Sequence, residues 1–307
     1  MEPTLGEMKS PLAQKDDRTG DLSVPALLRV LMIGDVVGEA GLEALEAKLP
    51  GLIREYDADF VVVNGENAAE GFGMIEANLS RILAAGADVV TSGNHVWEKR
   101  EFWPLLEGET RMLRPANYPA ACPGRGWVRV EKGRDAAAGS RLSWLVVNLQ
   151  GRDFMPSTDC PFKTFDAIAE SLGGSVPPEP FPEEALPEAL SSETIILVDF
   201  HAESTREKEA LAFYLDGRAS LVAGTHTHVQ TADERILPQG TGYITDLGMT
   251  GPTDSIIGMD LQICLDRART QVSYRMECAK GDTAIQGIIA EIDRQSRRAV
   301  SIRRINQ

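Results

Sequence analysis

The stretch Ala219-Ser220-Leu221-Val222-Ala223-Gly224-Thr225-His226-Thr227-His228 decides how the rest of the chain reads. Its first half is a short apolar run that reads as a buried strand, and its second half ends that strand in Gly-Thr-His-Thr-His. The chain has four histidines, and each stands just past an apolar run: His95 after residues 88–94, His201 after 194–200, and His226 and His228 here. In α/β sheets, ligand groups collect at the carboxyl ends of strands, and neutral imidazole is the commonest metal ligand. One such histidine alone reads as an ordinary core or surface residue. Four confined to three strand ends point to one metal site.

The β/α rhythm extends in both directions. Upstream, residues 26–33 form an apolar run ending in Gly34-Asp35-Val36-Val37-Gly38, residues 60–63 one ending in Asn64-Gly65-Glu66-Asn67, and residues 89–92 one ahead of Gly93-Asn94-His95. Leu42, Leu45, Leu49, Leu52 and Ile53 space a helix over 41–56 that Pro50 should kink or break. Ile75, Leu79, Ile82 and Leu83 space a second helix, closed by Gly86. Three β-then-α units predict a parallel sheet with right-handed crossovers. Residues 127–130 and 142–147 read as strands around a polar loop. Strand 194–200, helix 206–215, the opening strand and strand 242–245, which runs into Asp246-Leu247-Gly248-Met249, resume the rhythm, and 285–292 with 299–305 read as an antiparallel pair. Residues 151–192 interrupt it with seven prolines and a short helix expected at 166–172. They read as an insertion over one rim, a lid or a contact surface, with a passive surface loop as the alternative. Residues 1–24 are polar and aperiodic, so a disordered tail is expected there, with one folded domain over 25–307.

Charge narrows the function classes. The formal net charge of −15 disfavours DNA, long RNA and anionic membranes as partners. It leaves room for a small phosphorylated ligand, because a bound cation inverts the local field. Aromatic residues are sparse and do not interleave with basic ones, so a base-stacking platform is not indicated. No window approaches the ~18 apolar residues of a membrane span, and the N-terminus lacks the apolar core of a secretory signal. Cys122, Cys160, Cys264 and Cys278 form no paired motif, which predicts reduced, mostly buried thiols in a cytoplasmic protein. A homo-oligomer is compatible with this composition.

The polar groups at the strand ends are Asp35, Glu66, Asn67, Asn94, His95, His201, His226 and His228. Oxygen donors with imidazoles and no sulfur suit manganese, iron or zinc better than calcium or cuprous copper. The donors outnumber what one ion with an open position needs, so two ions sharing a bridging carboxylate are expected. Asp199, two residues before His201, is a candidate for orienting that imidazole through its other nitrogen. Glu203 reads as a helix-start acid. Asp246 reads as a turn residue ahead of a pocket-shaping one, Gly71-Phe72-Gly73 as a tight turn beside the site, and Arg152 with Asp153 as a surface ion pair ahead of a substrate contact.

Taken together, Asp35, Gly93-Asn94-His95, His201 and the Gly-Thr-His-Thr-His stretch resemble the calcineurin-like metallophosphoesterases. There are departures: Val37 stands where that superfamily has a histidine, Glu66 where it has a bridging aspartate, and GTHTH where it has GHxH. The altered set is similar to the YmdB-like branch, and the resemblance runs from about Val30 to the C-terminus. It implies an α/β fold, a sandwich of two mixed β-sheets flanked by helices in four αββα layers. It also implies two divalent or mixed-valence transition-metal ions, iron or manganese ahead of zinc. Asp35, Asn67 and His228 would hold one ion and Asn94, His201 and His226 the other, with Glu66 bridging and Asn67 replacing the imidazole missing at Val37. His95 matches the general acid. The implied activity is a phosphodiesterase acting on a small phosphodiester, with 2′,3′-cyclic nucleotides the expected class. A phosphomonoesterase or phosphoprotein phosphatase using the same ions is the nearest alternative. The departures at Val37 and Glu66 keep open a non-catalytic, metal-stabilised nucleotide-binding regulatory module. An amidohydrolase keyed on His226-x-His228 lacks the lysine and aspartate context it needs.

Overall fold

The computed structural model describes residues 27–134, 141–173 and 194–307. The expected N-terminal tail and residues 174–192 of the proline-rich stretch lie outside these residues. In chain order the elements are β1 (Leu27–Ile33), β2 (Asp35–Val36), α1 (Gly38–Tyr56), β3 (Phe60–Asn64), α2 (Glu76–Ala84), β4 (Val89–Thr91), α3 (Trp103–Gly108), β5 (Trp127–Arg134) and β6 (Arg141–Gln150). There follow α4 (Pro161–Ser171), β7 (Thr194–His201), α5 (Thr205–Tyr214), β8 (Leu221–Thr225), β9 (Arg235–Ile236), β10 (Gly242–Ile244), β11 (Met249–Pro252), α6 (Leu261–Thr270), β12 (Thr283–Ala284), β13 (Gln286–Asp293) and β14 (Ala299–Asn306).

Two large sheets carry the architecture, with strand orders β14-β13-β1-β3-β4 and β5-β6-β7-β8-β10-β9. The expected parallel unit is present as β1, β3 and β4, and β6, β7, β8 and β10 form a second parallel set. The period-two alternation of each strand sorts its apolar side chains onto two faces. Leu28, Val30 and Met32 of β1 face Trp144, Val146, Ile195 and Leu197 of the other sheet, and Phe60 stacks on Trp144 with ring centroids 4.6 Å apart. Leu31 and Ile33 point the other way, onto Leu42, Leu45 and Leu49 of α1 and Leu79 of α2. Ile196, Val198 and Phe200 of β7 point outward onto Phe165 of α4 and Leu211 of α5. Three separate apolar layers therefore bind four layers of structure in the order αββα. Each fully buried side chain of this kind contributes roughly 1.5–3 kcal/mol, so Leu45→Ala or Leu197→Ala would weaken one interlayer seam.

Two local expectations are corrected. Pro50 neither breaks nor ends its helix: α1 runs from Gly38 to Tyr56 with the proline inside it. Leu42, Leu45, Leu49 and Leu52 are buried on both sides of the proline, and Arg81 of α2 bonds Glu39 at 2.7 Å and Glu46 at 2.8 Å. These contacts outweigh one missing backbone hydrogen bond. The helix in the proline-rich stretch begins earlier than its apolar spacing implied, at Pro161, where a proline at the first helical position gives up no hydrogen bond. The cysteines are all free but only half-buried, less enclosed than expected.

Candidate metal centre

Both large sheets bring the carboxyl ends of their parallel strands to the same end of the sandwich. Asp35 follows β1, Glu66 and Asn67 follow β3, Asn94 and His95 follow β4, His201 ends β7, and His226 and His228 follow β8. The ligand-type atoms of Glu66, His201 and His226 lie within 4.8 Å of one another. His201 Nε2 is 2.9 Å from Glu66 Oε1 and 3.0 Å from His226 Nδ1. Asp35 Oδ2 accepts from the backbone N–H of His226 at 3.2 Å, and Asp35 Oδ1 lies 3.8 Å from His201 Nδ1.

Each imidazole has one nitrogen committed and one turned to the cluster. His201 Nδ1 donates to Thr225 Oγ1 at 2.9 Å, and Thr225 Oγ1 donates to Asp199 Oδ1 at 2.7 Å. His228 Nδ1 donates to the carbonyl of Ile257 at 2.8 Å, leaving Nε2 free. His226 Nε2 lies 3.2 Å from Glu203 Oε2, so its Nδ1 is the inward atom. Fixing the outer nitrogen sets the tautomer of a ligating histidine.

The oxygen donors meet the test that a buried cation site sets. Asp35 Oδ1, Asn67 Oδ1 and Asn94 Oδ1 are buried side-chain oxygens with no hydrogen-bond donor among the described residues. Burying a polar atom unpaired is costly, and a cation is a partner that would remove that cost at these three strand-end oxygens. Asn67 is aimed by its other end: Nδ2 donates to the Gly71 carbonyl at 2.8 Å, which fixes which atom points inward. The turn at Gly71-Phe72-Gly73 thus orients a donor, and Phe72 also packs edge-on against His95 at 5.0 Å. Val37, which replaces a histidine of the wider superfamily, is fully buried against Gly258, next to the carbonyl that holds His228.

Glycine is required where backbone enters the cluster. A Cβ on Gly93 would lie 2.2 Å from His201 Nε2 and 2.3 Å from Glu66 Oε2, and one on Gly224 would lie 1.8 Å from the Thr245 carbonyl oxygen. His226 and His228 themselves have φ of +101° and +63°, in the region that disfavours side chains. What holds that turn is Asp246, whose Oδ2 accepts from Thr227 N at 3.2 Å, Thr227 Oγ1 at 2.8 Å and Lys208 Nζ at 2.7 Å. Lys208 and Asp246 are fully enclosed. Asp246 is therefore a buried anchor and not the turn residue expected of it.

Electrostatics follow from burial and proximity. Burial raises the Asp35 carboxyl to about 6, against the pull of His228 and His201. Burial also works against ionised Glu66, yet the neighbouring His201 holds its pKa down to about 2. Conversely, burial would lower His201, but Glu66 lifts it to about 9. His226 is lowered to about 3 by burial and by the adjacent His201. Burial raises Asp199, against hydrogen bonds from Thr91, Thr225 and Asn64.

Sequence reasoning located the strand-end groups and one support, Asp199, but missed Thr225 and Lys208. Asp199 reaches His201 through Thr225 and not directly, and it also accepts from Asn64 of β3 at 2.9 Å and from Thr91 of β4. Lys208 carried a readable signal: it shares a buried helical face with Glu207, Leu211 and Ala212, an unusual place for a lysine without a carboxylate partner. Glu203 is more than a helix-start acid, since it meets His226. The ion pair expected between Arg152 and Asp153 is not the one formed: Asp153 pairs with Arg206 at 2.8 Å and Arg152 lies 4.0 Å from Glu207, which also takes the backbone N–H groups of Arg152 and Asp153. His95 stands partly exposed at the rim, its backbone N–H on Glu66 Oε2 at 3.2 Å.

Known proteins resemble the chain along most of its length. The sequence model of the YmdB-like protein family matches residues 31–305. The chain is 44% identical over 278 residues to a 2′,3′-cyclic-nucleotide 2′-phosphodiesterase of Bacillus subtilis, covering 91% of this chain and 96% of that protein. The crystal structure of a novel phosphatase from Mycoplasma pneumoniae superposes with a TM-score of 0.79 at 27% identity, covering 92% of this chain and 94% of that one. A calcineurin-like phosphoesterase, YfkN of Bacillus subtilis, shares the fold with a TM-score of 0.53 at 11% identity, covering 92% and 90% of the two chains. The calcineurin-like architecture expected from the motifs is the one observed. Among the described residues no helix is long and apolar enough to cross a membrane.

Proposed function

Starting from the YmdB-like protein family, to which the chain belongs, we propose that this protein is a metal-dependent phosphodiesterase acting on 2′,3′-cyclic nucleotides. The observation that carries the reading is the trio of donorless buried oxygens, Asp35 Oδ1, Asn67 Oδ1 and Asn94 Oδ1, beside the Glu66, His201 and His226 cluster. In this reading Asp35, Asn67 and His228 would hold one divalent ion and Asn94, His201 and His226 the other, and Glu66 would serve both. Iron or manganese suits the oxygen-rich donor set better than zinc. Such ions, when bound, lower the pKa of a coordinated water to about 7 and polarise phosphoryl oxygens.

The chain's own residues do the rest. His95, at the rim with its backbone pinned to Glu66, protonates the departing sugar oxygen, an effect worth roughly 10²–10⁴-fold. Thr225 and Asp199 keep His201 in one tautomer, Glu203 does the same for His226, and the Ile257 carbonyl for His228. The four free cysteines support a reducing, cytoplasmic setting.

The test is metal analysis of the purified protein with an assay on 2′,3′-cyclic nucleotides, nitrophenyl diesters and nitrophenyl monoesters, before and after chelation. Diesterase activity that disappears on chelation and returns with manganese is expected. Activity confined to monoesters would replace this reading with a phosphomonoesterase, the alternative that the Mycoplasma pneumoniae phosphatase favours. Activity that survives complete metal removal would overturn the metal-dependent reading altogether.

A further inference from the structure

The loop that leaves β6 holds a side chain that neither packing nor turn chemistry accounts for. Phe154 is 92% exposed, and the next most exposed large apolar side chain among the described residues, Val229, reaches 61%. Its backbone is as unusual as its exposure. Met155 N bonds the Arg152 carbonyl at 3.3 Å, which closes a four-residue turn over 152–155 with Phe154 third, at φ +63°. Turns with positive φ at that position favour glycine or asparagine there. An aromatic side chain gains nothing from burial at this position and strains the backbone, and strain of this kind collects at functional sites.

The turn is braced. Glu207, buried in the first turn of α5, accepts from the N–H groups of Arg152 at 2.9 Å and Asp153 at 3.1 Å. Asp153 pairs with Arg206 at 2.8 Å, and the Gln150 side chain donates to the Pro156 carbonyl at 3.2 Å. Gly151 seats the start of the loop against β7. Its N–H bonds the His201 carbonyl at 2.9 Å, and a Cβ there would lie 2.6 Å from both Ala202 Cβ and Glu207 Oε2. Three residues of chain reach at most about 11 Å, so the Phe154 backbone stays within that span of the residue bonded to His201. A nucleotide whose phosphate meets the strand-end donors carries its base over a comparable distance.

The neighbour of the ring indicates what covers it. Arg152 is 46% exposed, and among the described residues its guanidinium has one contact, 4.0 Å from Glu207, whose carboxylate already serves backbone N–H groups. In a chain of net charge −15, a cation and an exposed ring on one turn suit a flat ligand that carries negative charge. Sparse aromatics speak against a platform for a nucleic-acid strand, whereas one base needs one ring.

We propose that Phe154 is the base-stacking residue of the substrate site, and that its braced turn holds the ring out in water to receive the nucleobase of the 2′,3′-cyclic nucleotide. The proposal rests on the cyclic-nucleotide reading above. It makes Phe154 a specificity residue, in contact with the base and not with the reacting phosphorus.

Steady-state kinetics of the manganese-loaded protein test it, on 2′,3′-cyclic AMP and on glycerol 1,2-cyclic phosphate, a cyclic diester without a base. Removing one stacking side chain weakens binding roughly 5–150-fold per base. Phe154→Ala is expected to raise KM for 2′,3′-cyclic AMP by that factor relative to any change on the glycerol diester, with kcat little altered, and Phe154→Trp to restore it. Phe154→Asn should show the same loss and melt no lower than the parent, because asparagine fits the turn. Equal losses on both diesters, or an unchanged ratio of the two KM values, overturn the proposal and leave the activity in place. A Phe154→Asn protein that melts well below the parent overturns it in favour of a structural role for the ring. A Phe154→Ala protein with unchanged kinetics and a lower mass in sedimentation velocity overturns it in favour of a subunit contact. A parent that does not turn over 2′,3′-cyclic AMP overturns the underlying reading and this proposal with it.

Discussion

Replacing Lys208 by methionine tests how the turn that carries His226 and His228 is held. The lysine ammonium lies 2.7 Å from Asp246 Oδ2, with the two side chains 1% and 0% exposed. Methionine fills a similar volume and removes the charge, leaving a carboxylate enclosed with only the Thr227 and Gly248 donors. Breaking one side of a buried pair costs about 3–5 kcal/mol. At this chain length each kcal/mol lowers the melting midpoint by roughly 2–4 °C, so a fall of roughly 6–20 °C is expected by calorimetry. With its counter-charge gone, Asp246 holds Thr227 less firmly, and the turn that presents His226 and His228 loosens. Manganese affinity should fall roughly 10–100-fold, as for other residues that orient ligands. The double variant Lys208→Met, Asp246→Asn should recover much of the stability, because no charge is left unpaired. A single variant that melts within about 2 °C of the parent would refute the claim that this pair is desolvated and supports the turn.

Three further outcomes are expected. Gly93→Ala should fold but lose metal, because its Cβ would fall 2.2 Å from His201 Nε2; full metal content by elemental analysis would contradict this. His95→Ala should keep its metal and lose roughly 10²–10⁴-fold in turnover of diesters with poor leaving groups, with a smaller loss for nitrophenyl leaving groups; equal losses on both would remove the general-acid role. Manganese uptake should be pH-dependent with a defined sign. His201 keeps its proton up to about 9, whereas His226, at about 3, is already neutral. Binding must displace the His201 proton, so affinity should rise about tenfold per pH unit from above 6 towards 9 and level off beyond. Below about 6 the proton on Asp35 adds to the slope. A flat profile between 6 and 9 by titration calorimetry would contradict the paired state of His201.

What the sequence revealed, and what it hid, divides along physical lines. Strand ends were legible because β1, β3, β4, β7 and β8 are apolar runs that stop abruptly at polar or glycine residues, and parallel strands carry those stops to one edge. The helical layer was legible from leucine spacing, although Pro50 misled because buried leucines on both sides decide the path. Of the supports of the site, Asp199 was legible as a candidate from its place beside His201, but the partners through which the supports act were not. Thr225 links His201 to Asp199 through contacts 24 and 26 residues apart, and Lys208 meets Asp246 across 38. No local pattern encodes such pairings. They follow from sheet order, which fixes which strand ends become neighbours.

The proposed donors are divided between the two sheets. Asp35, Glu66, Asn67 and Asn94 come from the first sheet and its connections, and His201, His226 and His228 from the second. Asp199 fastens the halves together by taking hydrogen bonds from Asn64 and Thr91 on one side and Thr225 on the other. Neither half of a partly folded chain presents the whole set. In a refolding time course, the onset of manganese capture would act as a clock for closure of the sandwich, and a cell short of the metal would accumulate chains that have finished folding but not yet been loaded.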